Sequence, residues 1–337
     1  MTQASSVLIG VDIGCTTISG GLVTPEGTVL TTIQAPTGLG TGTTCRTILD
    51  IVGDLAIAAR AQRLVLDAVG IGVPGLVDAE RGTLRSSAGA RLAELHGVPL
   101  GELAAARAGV PAFVDNDVNA LALGEWMFGL GRGAASCVVL AIGTALGAGI
   151  ILDRHLLRGK NGYAGELGHV PVDLDGVRCE CGGRGCLASF VGGDYMAVEA
   201  RRRALVEPSS LLAMAGGQVG SITAQTIFTA AAAGDPVARG MVERACRALG
   251  AGIAVVLSTL DPEVVVVTGG VVQSLLPLRE QIMRRAGEYA LAESLASTPI
   301  HFVPGYKDQT VRGGAALVLY ERAGRAASLS PPRGGAV

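Results

Sequence analysis

Lysine is almost absent from this chain of 337 residues: Lys160 and Lys307 are the two, against 25 arginines. The bias reads as genomic codon usage, because no basic block accompanies it and the formal net charge is −2. That balance excludes the electrostatic footprint of a nucleic-acid-binding surface, and none is expected as a partner. No uninterrupted apolar run reaches the length of a membrane span, so no membrane partner is expected. The N-terminus, MTQASSVLIGVDIG, lacks the charged region and cleavage site of a signal peptide. No linker or low-complexity segment divides the chain. What is abundant is apolar surface to bury: 49% of residues are hydrophobic and 17% charged, enough for two domains of ordinary size. Seven cysteines are an odd number, three of them clustered. With no signal peptide, that favours a reducing cytoplasm and thiols used for metal.

The cluster lies in GELGHVPVDLDGVRCECGGRGC, residues 165–186. His169, Cys179, Cys181 and Cys186 supply one imidazole and three thiolates, the ligand set of a closed tetrahedral zinc site. The alternative is a reduced cysteine cluster without metal. Glu166 stands three residues before His169. Cys45, Cys137 and Cys246 read as core residues, and His96, His155 and His301 as structural or exposed ones.

From the N-terminus, the apolar run 7–14 ends in Asp12-Ile13-Gly14, and two further strands follow as a meander. Asp12 near the end of a buried strand is costly unless paired, so it either caps a turn or serves a cation. Residues 43–61 and 100–108 have helical spacing. PAFV leads as a strand into Asp115-Asn116-Asp117, with a helix from about 118. Polar groups where a strand hands over to a helix mark chemistry in α/β proteins, although Asn116 or Asp117 also suits a helix N-cap. ASCVVLAIGTALGAGIIL reads as strand, glycine turn, strand, repeating the pattern from Asp12 to Gly21. Two such turns suggest an internal duplication holding a phosphate chain. Further helices are expected over 194–206, on both sides of Gly234-Asp235-Pro236, over 274–294 and from 311 to about 326, with a loop over 208–220. DPEVVVVTGG is a buried strand ending in Gly269-Gly270, and the tail 328–337 is expected to be disordered.

Taken together, DIGCTT, GVPGLVD, DNDVNALALGE, GTALGAGI, AGELGH, CECGGRGC and DPEVVVVTGG resemble, in order and spacing, the ROK family of bacterial sugar kinases, open reading frames and repressors. The resemblance covers residues 7 to about 323, and its zinc segment is the most specific part. It implies the α/β actin-like ATPase fold (hexokinase/ribonuclease H-like), two domains with an interdomain cleft that closes over ATP and sugar. The expected domains are 1–117, completed by the C-terminal helix 311–326, and 118–310 with the zinc knuckle 169–186.

The same resemblance assigns roles. Asp117 is the general base and Asn116 binds a sugar hydroxyl. Glu166 and His169 contact the sugar, the imidazole oriented by zinc. Asp12 holds Mg²⁺; Gly14, Thr16 and Thr17 form the first phosphate turn, and Gly143, Thr144 and Gly147 the second. Gly269 and Gly270 form the adenosine turn. The implied activity is ATP-dependent phosphorylation of a primary hydroxyl on a hexose or hexose-like polyol, with a homodimer expected by analogy. A repressor of this family would carry a winged-helix domain ahead of Asp12; a third reading is an inactive sugar sensor, against which Asp12 and Asp117 both stand.

Three departures from the family pattern stand out. Cys15 replaces a glycine in the first phosphate turn, Ala188 replaces a sugar-binding glutamate after the last zinc cysteine, and the segment before the base lacks its Asn-Leu pair. The last two imply an acceptor other than glucose, such as a C7 cyclitol or an amino sugar.

Overall fold

The structure is a computed structural model that describes residues 6–38, 42–87 and 90–328. Its strands are β1 (Ser6–Ile13), β2 (Thr17–Val23), β3 (Val29–Pro36), β4 (Val65–Val73), β5 (Leu76–Asp78), β6 (Thr83–Ser86), β7 (Ala112–Asn116), β8 (Cys137–Ile142), β9 (Leu146–Leu152), β10 (His155–Leu156), β11 (Val264–Gly269) and β12 (Ile300–Pro304). The helices of the first half are α1 (Thr43–Ala61), α2 (Leu100–Ala108) and α3 (Asp117–Phe128). Those of the second are α4 (Ala188–Val191), α5 (Gly193–Ala204), α6 (Leu211–Met214), α7 (Ala224–Ala232), α8 (Pro236–Leu260), α9 (Val272–Leu275), α10 (Arg279–Gly287), α11 (Ala292–Ser297) and α12 (Lys307–Ser328).

The chain forms two compact units. Unit 1 takes the described residues of Met1–Gly133, Arg158–Tyr163 and Lys307–Val337; unit 2 takes Ala134–Leu157 and Ala164–Tyr306. Their sheets have the same design. In unit 1 the order is β3-β2-β1-β4-β7, and in unit 2 it is β10-β9-β8-β11-β12. Each has an antiparallel meander on one side and two parallel strands added beyond its first strand. The two glycine turns noticed in the sequence are the first turns of these two meanders. β1, β4, β8 and β11 are central strands, so they read as near-continuous runs of Val, Ile and Leu.

In unit 1, α12 lies directly on β1 and β4. A Cβ on Gly10 would come within 1.9 Å of the Val311 carbonyl oxygen, and one on Gly314 within 2.7 Å of Gly10 Cα. Only hydrogen at these positions lets the backbones approach so closely. α3 packs on the same helix, where a Cβ on Gly124 would meet Gly313 Cα at 3.0 Å. For that reason α3 stays with unit 1, and the boundary lies between Gly133 and Ala134 rather than at the expected 117.

Local expectations needed other corrections. The helix expected over 274–294 is broken into α9, a 3-10 turn at Leu276–Leu278, α10 and α11. Pro277 within that turn removes a backbone donor and disfavours helix in the residue before it. The loop expected over 208–220 contains α6, which is fastened from outside: Asp235 Oδ2 accepts from Ser209 Oγ, Ser210 N and Ser210 Oγ at 2.9, 2.6 and 2.9 Å. α12 starts earlier than expected and reaches Ser328; the rest of the tail, 329–337, lies outside the described residues.

Candidate functional site

In unit 1 the candidate residues gather at the C-terminal ends of the parallel strands. Asp12 of β1 is in register with Gly72 of β4, and Gly72 with Asp115 of β7. Two strand spacings put Asp12 and the start of the β7–α3 corner on the order of 10 Å apart along the same edge. Asp117 enters at the first position of α3, packed where a Cβ on Gly72 would stand 3.0 Å from Asp117 Cα. Asp12 keeps partial contact with solvent but sits deep. Desolvation dominates and pushes its carboxyl from 3.8 up to about 6, against a hydrogen bond from Thr310 of α12. A carboxylate held at such a cost fits a cation site, since a bound cation offsets the desolvation.

Asn116 behaves first as the N-cap of α3. Its Oδ1 accepts from Val118 N at 2.9 Å and Asn119 N at 3.2 Å, and its Nδ2 donates to the Gly75 carbonyl at 3.1 Å. Its acceptor capacity is therefore spent on the helix, and what remains for a ligand is the second amide hydrogen. Asp115, which sequence reading left without a role, is buried and saturated. Its Oδ1 accepts from Asn116 N at 2.7 Å and Asn119 Nδ2 at 3.0 Å, and its Oδ2 pairs with Arg158 Nε at 2.6 Å.

The Gly14–Thr17 turn is held by one bond of its own backbone and two from Thr37. Gly14 N–H donates to Thr17 O at 3.0 Å, Thr37 Oγ1 donates to Gly14 O at 2.6 Å, and Thr37 N–H donates to Thr16 O at 3.0 Å. Thr16 is left exposed at its tip, and Cys15 is beside it. Thr37 and Thr310 are supports that local sequence could not reveal, because each reaches the turn or carboxylate from a distant segment.

Unit 2 assembles the counterpart. Gly143 N–H bonds to Ala145 O at 2.9 Å within the turn, so the exposed Thr144 and Ala145 present what the turn can offer an anion. Gly147 is a ladder residue of β9 opposite Ala141 and not part of the turn's tip. The start of α5 is stitched to the same turn: Gly193 N–H donates to Gly143 O at 2.8 Å and Asp194 N–H to Thr144 O at 3.0 Å. The Gly269–Gly270 turn arrives from the other side. Gly269 has φ +112°, and a Cβ there would meet Ile142 O at 2.4 Å; Val271 N–H bonds that same carbonyl at 3.1 Å. Beside the Gly143–Thr144 turn opens a cleft of ≈ 330 Å³ whose lining includes Asp194, Ala197, Arg201, Thr223, Ala224 and Gln225. That volume suits a small-molecule ligand. Asp194, Arg201 and the start of α7 carried no motif in the sequence.

The His169, Cys179, Cys181 and Cys186 ligand atoms all lie within 4.8 Å of one another. Four ligands at about 2.3 Å around a tetrahedral ion lie about 3.8 Å apart. Cys181 Sγ and Cys186 Sγ are 3.7 Å apart, and Cys179 Sγ and His169 Nδ1 are 3.6 Å apart, so the donor set fits zinc. Crowding splits the thiols. For Cys179, burial acts upward, but hydrogen bonds from Cys181 and His169 help bring it down to about 6. For Cys186, burial and the neighbouring thiols push it up to about 12. With Nδ1 turned to the thiols, His169 points Nε2 at Glu166, whose Oε2 is 3.8 Å away. Glu166 and His169 are thus brought together.

Residues 8–321 match the ROK family. The chain is 33% identical over 323 residues to a glucokinase of Thermotoga maritima, covering 94% of this chain and 98% of that one. It is 38% identical over 265 residues to a glucokinase of Streptomyces coelicolor, covering 78% and 81%. The crystal structure of a ROK family glucokinase from Streptomyces griseus in complex with glucose and AMPPNP superposes with a TM-score of 0.75 at 32% identity, covering 94% of this chain and all of that one. The chain belongs to the ROK family and has the actin-like ATPase fold of its sugar kinases.

Proposed function

We propose that this protein is an ATP-dependent kinase that phosphorylates the primary hydroxyl of a hexose or hexose-like polyol, with Asp117 as general base. The observation that carries the reading is the edge of the unit 1 sheet, where strand register lines up Asp12 and the β7–α3 corner bearing Asp117 on either side of Gly72. A primary hydroxyl is a poor nucleophile at neutral pH. A carboxylate within about 2.6–3.2 Å takes its proton as the oxygen attacks phosphorus. Asp117 fills that role, and the second amide hydrogen of Asn116 serves a sugar hydroxyl. Glu166 and Nε2 of His169 serve others. Phosphoryl transfer asks mainly for positioning and charge neutralisation. In unit 2, Thr144 and Ala145 are phosphate contacts, and the cleft lined by Asp194 and Gln225 receives the nucleoside; in unit 1, Thr16 and Thr17 are phosphate contacts. Mg²⁺, when bound, neutralises phosphate charge, and Asp12 is the residue that holds it. Zinc in the three-cysteine, one-histidine cluster fixes the His169 ring, and the protein works as a homodimer.

A second reading of the acceptor is favoured by Ala188. It is buried at 1% exposure and packed in the apolar cluster with Leu187 and Val191, so a methyl group stands where relatives' resemblance implies a sugar-binding carboxylate. Losing one charged hydrogen bond weakens an ordinary hexose by about 1–3 kcal/mol. A C7 cyclitol or amino sugar then becomes the preferred acceptor. A coupled ATPase assay over glucose, N-acetylmannosamine, kanosamine and cyclitols tests both readings. Phosphorylation of at least one, abolished by Asp117→Asn, is the expected result. Unchanged turnover in Asp117→Asn removes Asp117 as the base, and glucose leading by a wide margin in kcat/KM removes the second reading.

A further inference from the structure

Arg158 is the one residue of the short segment Arg158–Tyr163 that is tied into unit 1 by charge on two sides. Its Nε donates to Asp115 Oδ2 at 2.6 Å and its Nη2 to Glu321 Oε1 of α12 at 2.5 Å. The guanidinium carbon lies 5.6 Å from the centre of the Tyr320 ring. Asp115 is 2% exposed, and its other oxygen holds the Asn116 backbone N–H and the Asn119 side chain. A charged carboxylate so deep is tolerated only because a cation meets it. The same carboxylate grips both sides of the β7–α3 corner: the residue before Asp117 and the third residue of the first turn of α3.

We propose that Arg158 is a positioning residue for phosphoryl transfer, acting through Asp115 to hold the corner from which Asp117 reaches the acceptor hydroxyl. The inference rests on the reading of Asp117 as the base. Removing the guanidinium leaves Asp115 buried and uncompensated. The carboxylate must then take up a proton or turn toward water, and either change releases Asn116 N–H or Asn119. A displacement of about 1 Å at a reacting group is enough to cost on the order of a hundredfold in rate. The nucleotide cleft belongs to unit 2 and makes none of these bonds. Lysine is a poor replacement, because a single ammonium cannot address two carboxylates in the planar geometry of a guanidinium.

The test is steady-state kinetics with the best acceptor of the panel, alongside thermal unfolding, for Arg158→Met, Arg158→Lys, Asp115→Asn, Glu321→Gln and the double variant Arg158→Met/Asp115→Asn. Expected for Arg158→Met is a kcat lowered about ten- to hundredfold at temperatures where the protein is fully folded. The KM for ATP should stay within about twofold, the pattern of an interaction lost in the transition state alone. Arg158→Lys should fall between it and wild type. The double variant should be no slower than the worse single one, because the two residues act as a unit. If Arg158→Met does not fold, Arg158→Lys and Glu321→Gln carry the same comparison. A folded Arg158 variant with kcat within about twofold of wild type, in an enzyme that Asp117→Asn inactivates, overturns the positioning role alone. An Asp117→Asn enzyme with full turnover overturns the base assignment and this inference with it.

Discussion

Asn116 offers a quantitative check on how the corner of unit 1 is built. In Asn116→Ala, two backbone donors lose their acceptor, Val118 N at 2.9 Å and Asn119 N at 3.2 Å, and the Gly75 carbonyl loses a donor at 3.1 Å. Loss of an Asn N-cap costs about 1 kcal/mol. The bond to Gly75 adds about 1 kcal/mol, because the carbonyl is left in a half-buried place. The sum is about 2 kcal/mol, which for a unit of this size lowers the melting temperature by roughly 4–8 °C. Differential scanning fluorimetry or circular dichroism on the ligand-free protein reads it directly. Asn116→Asp keeps an acceptor for the helix but loses the donor and adds a charge between Asp115 and Asp117, so it should recover only part of the loss. If Asn116→Ala melts within about 1 °C of wild type, the cap contributes nothing and Asn116 serves a ligand alone.

Two further predictions concern charge and metal. Elemental analysis should find one equivalent of zinc per chain, lost in Cys181→Ser; a metal-free wild type with an intact fold would refute the zinc assignment. Asp12 gives a pH signature with a definite sign. Its carboxyl is raised from 3.8 to about 6 in the folded state, so the folded state binds the proton more tightly between those values. Stability therefore falls as pH rises from about 4 to about 6, and the penalty persists above. Asp12→Asn should unfold with up to about 3 kcal/mol more stability at pH 8 and no gain near pH 3, at the expense of Mg²⁺-dependent turnover. Equal denaturant midpoints for the two proteins at pH 8 would contradict the burial argument.

The cysteine–histidine cluster was legible because its members are local. His169 and the three cysteines lie close along the chain, and a short loop can bring such ligands together. The two glycine turns were legible for a related reason, since strand, turn, strand is a local pattern and it recurs. The supports were not legible. Thr310 reaches Asp12 and Thr37 reaches Gly14 from segments that sequence spacing does not connect to them. Arg158 carries no motif; its importance comes from two carboxylates, one on β7 and one on α12. Asn116 shows how one residue type fits two readings, since an amide that can bind a sugar can equally cap a helix.

The sequence by itself determined the family, the duplicated strand-turn-strand design and the grouping of one histidine with three cysteines. These follow from residue types at short, fixed spacings, where geometry is set by a few torsion angles. Only the tertiary structure decided which backbone donors of each glycine turn remain open, that Asn116 is committed to α3, that Gly147 belongs to a strand, and that Arg158 meets Asp115. Those outcomes depend on strand register and on helix–sheet contacts between segments far apart in the chain. Burial then makes an unmatched polar group too costly to leave alone.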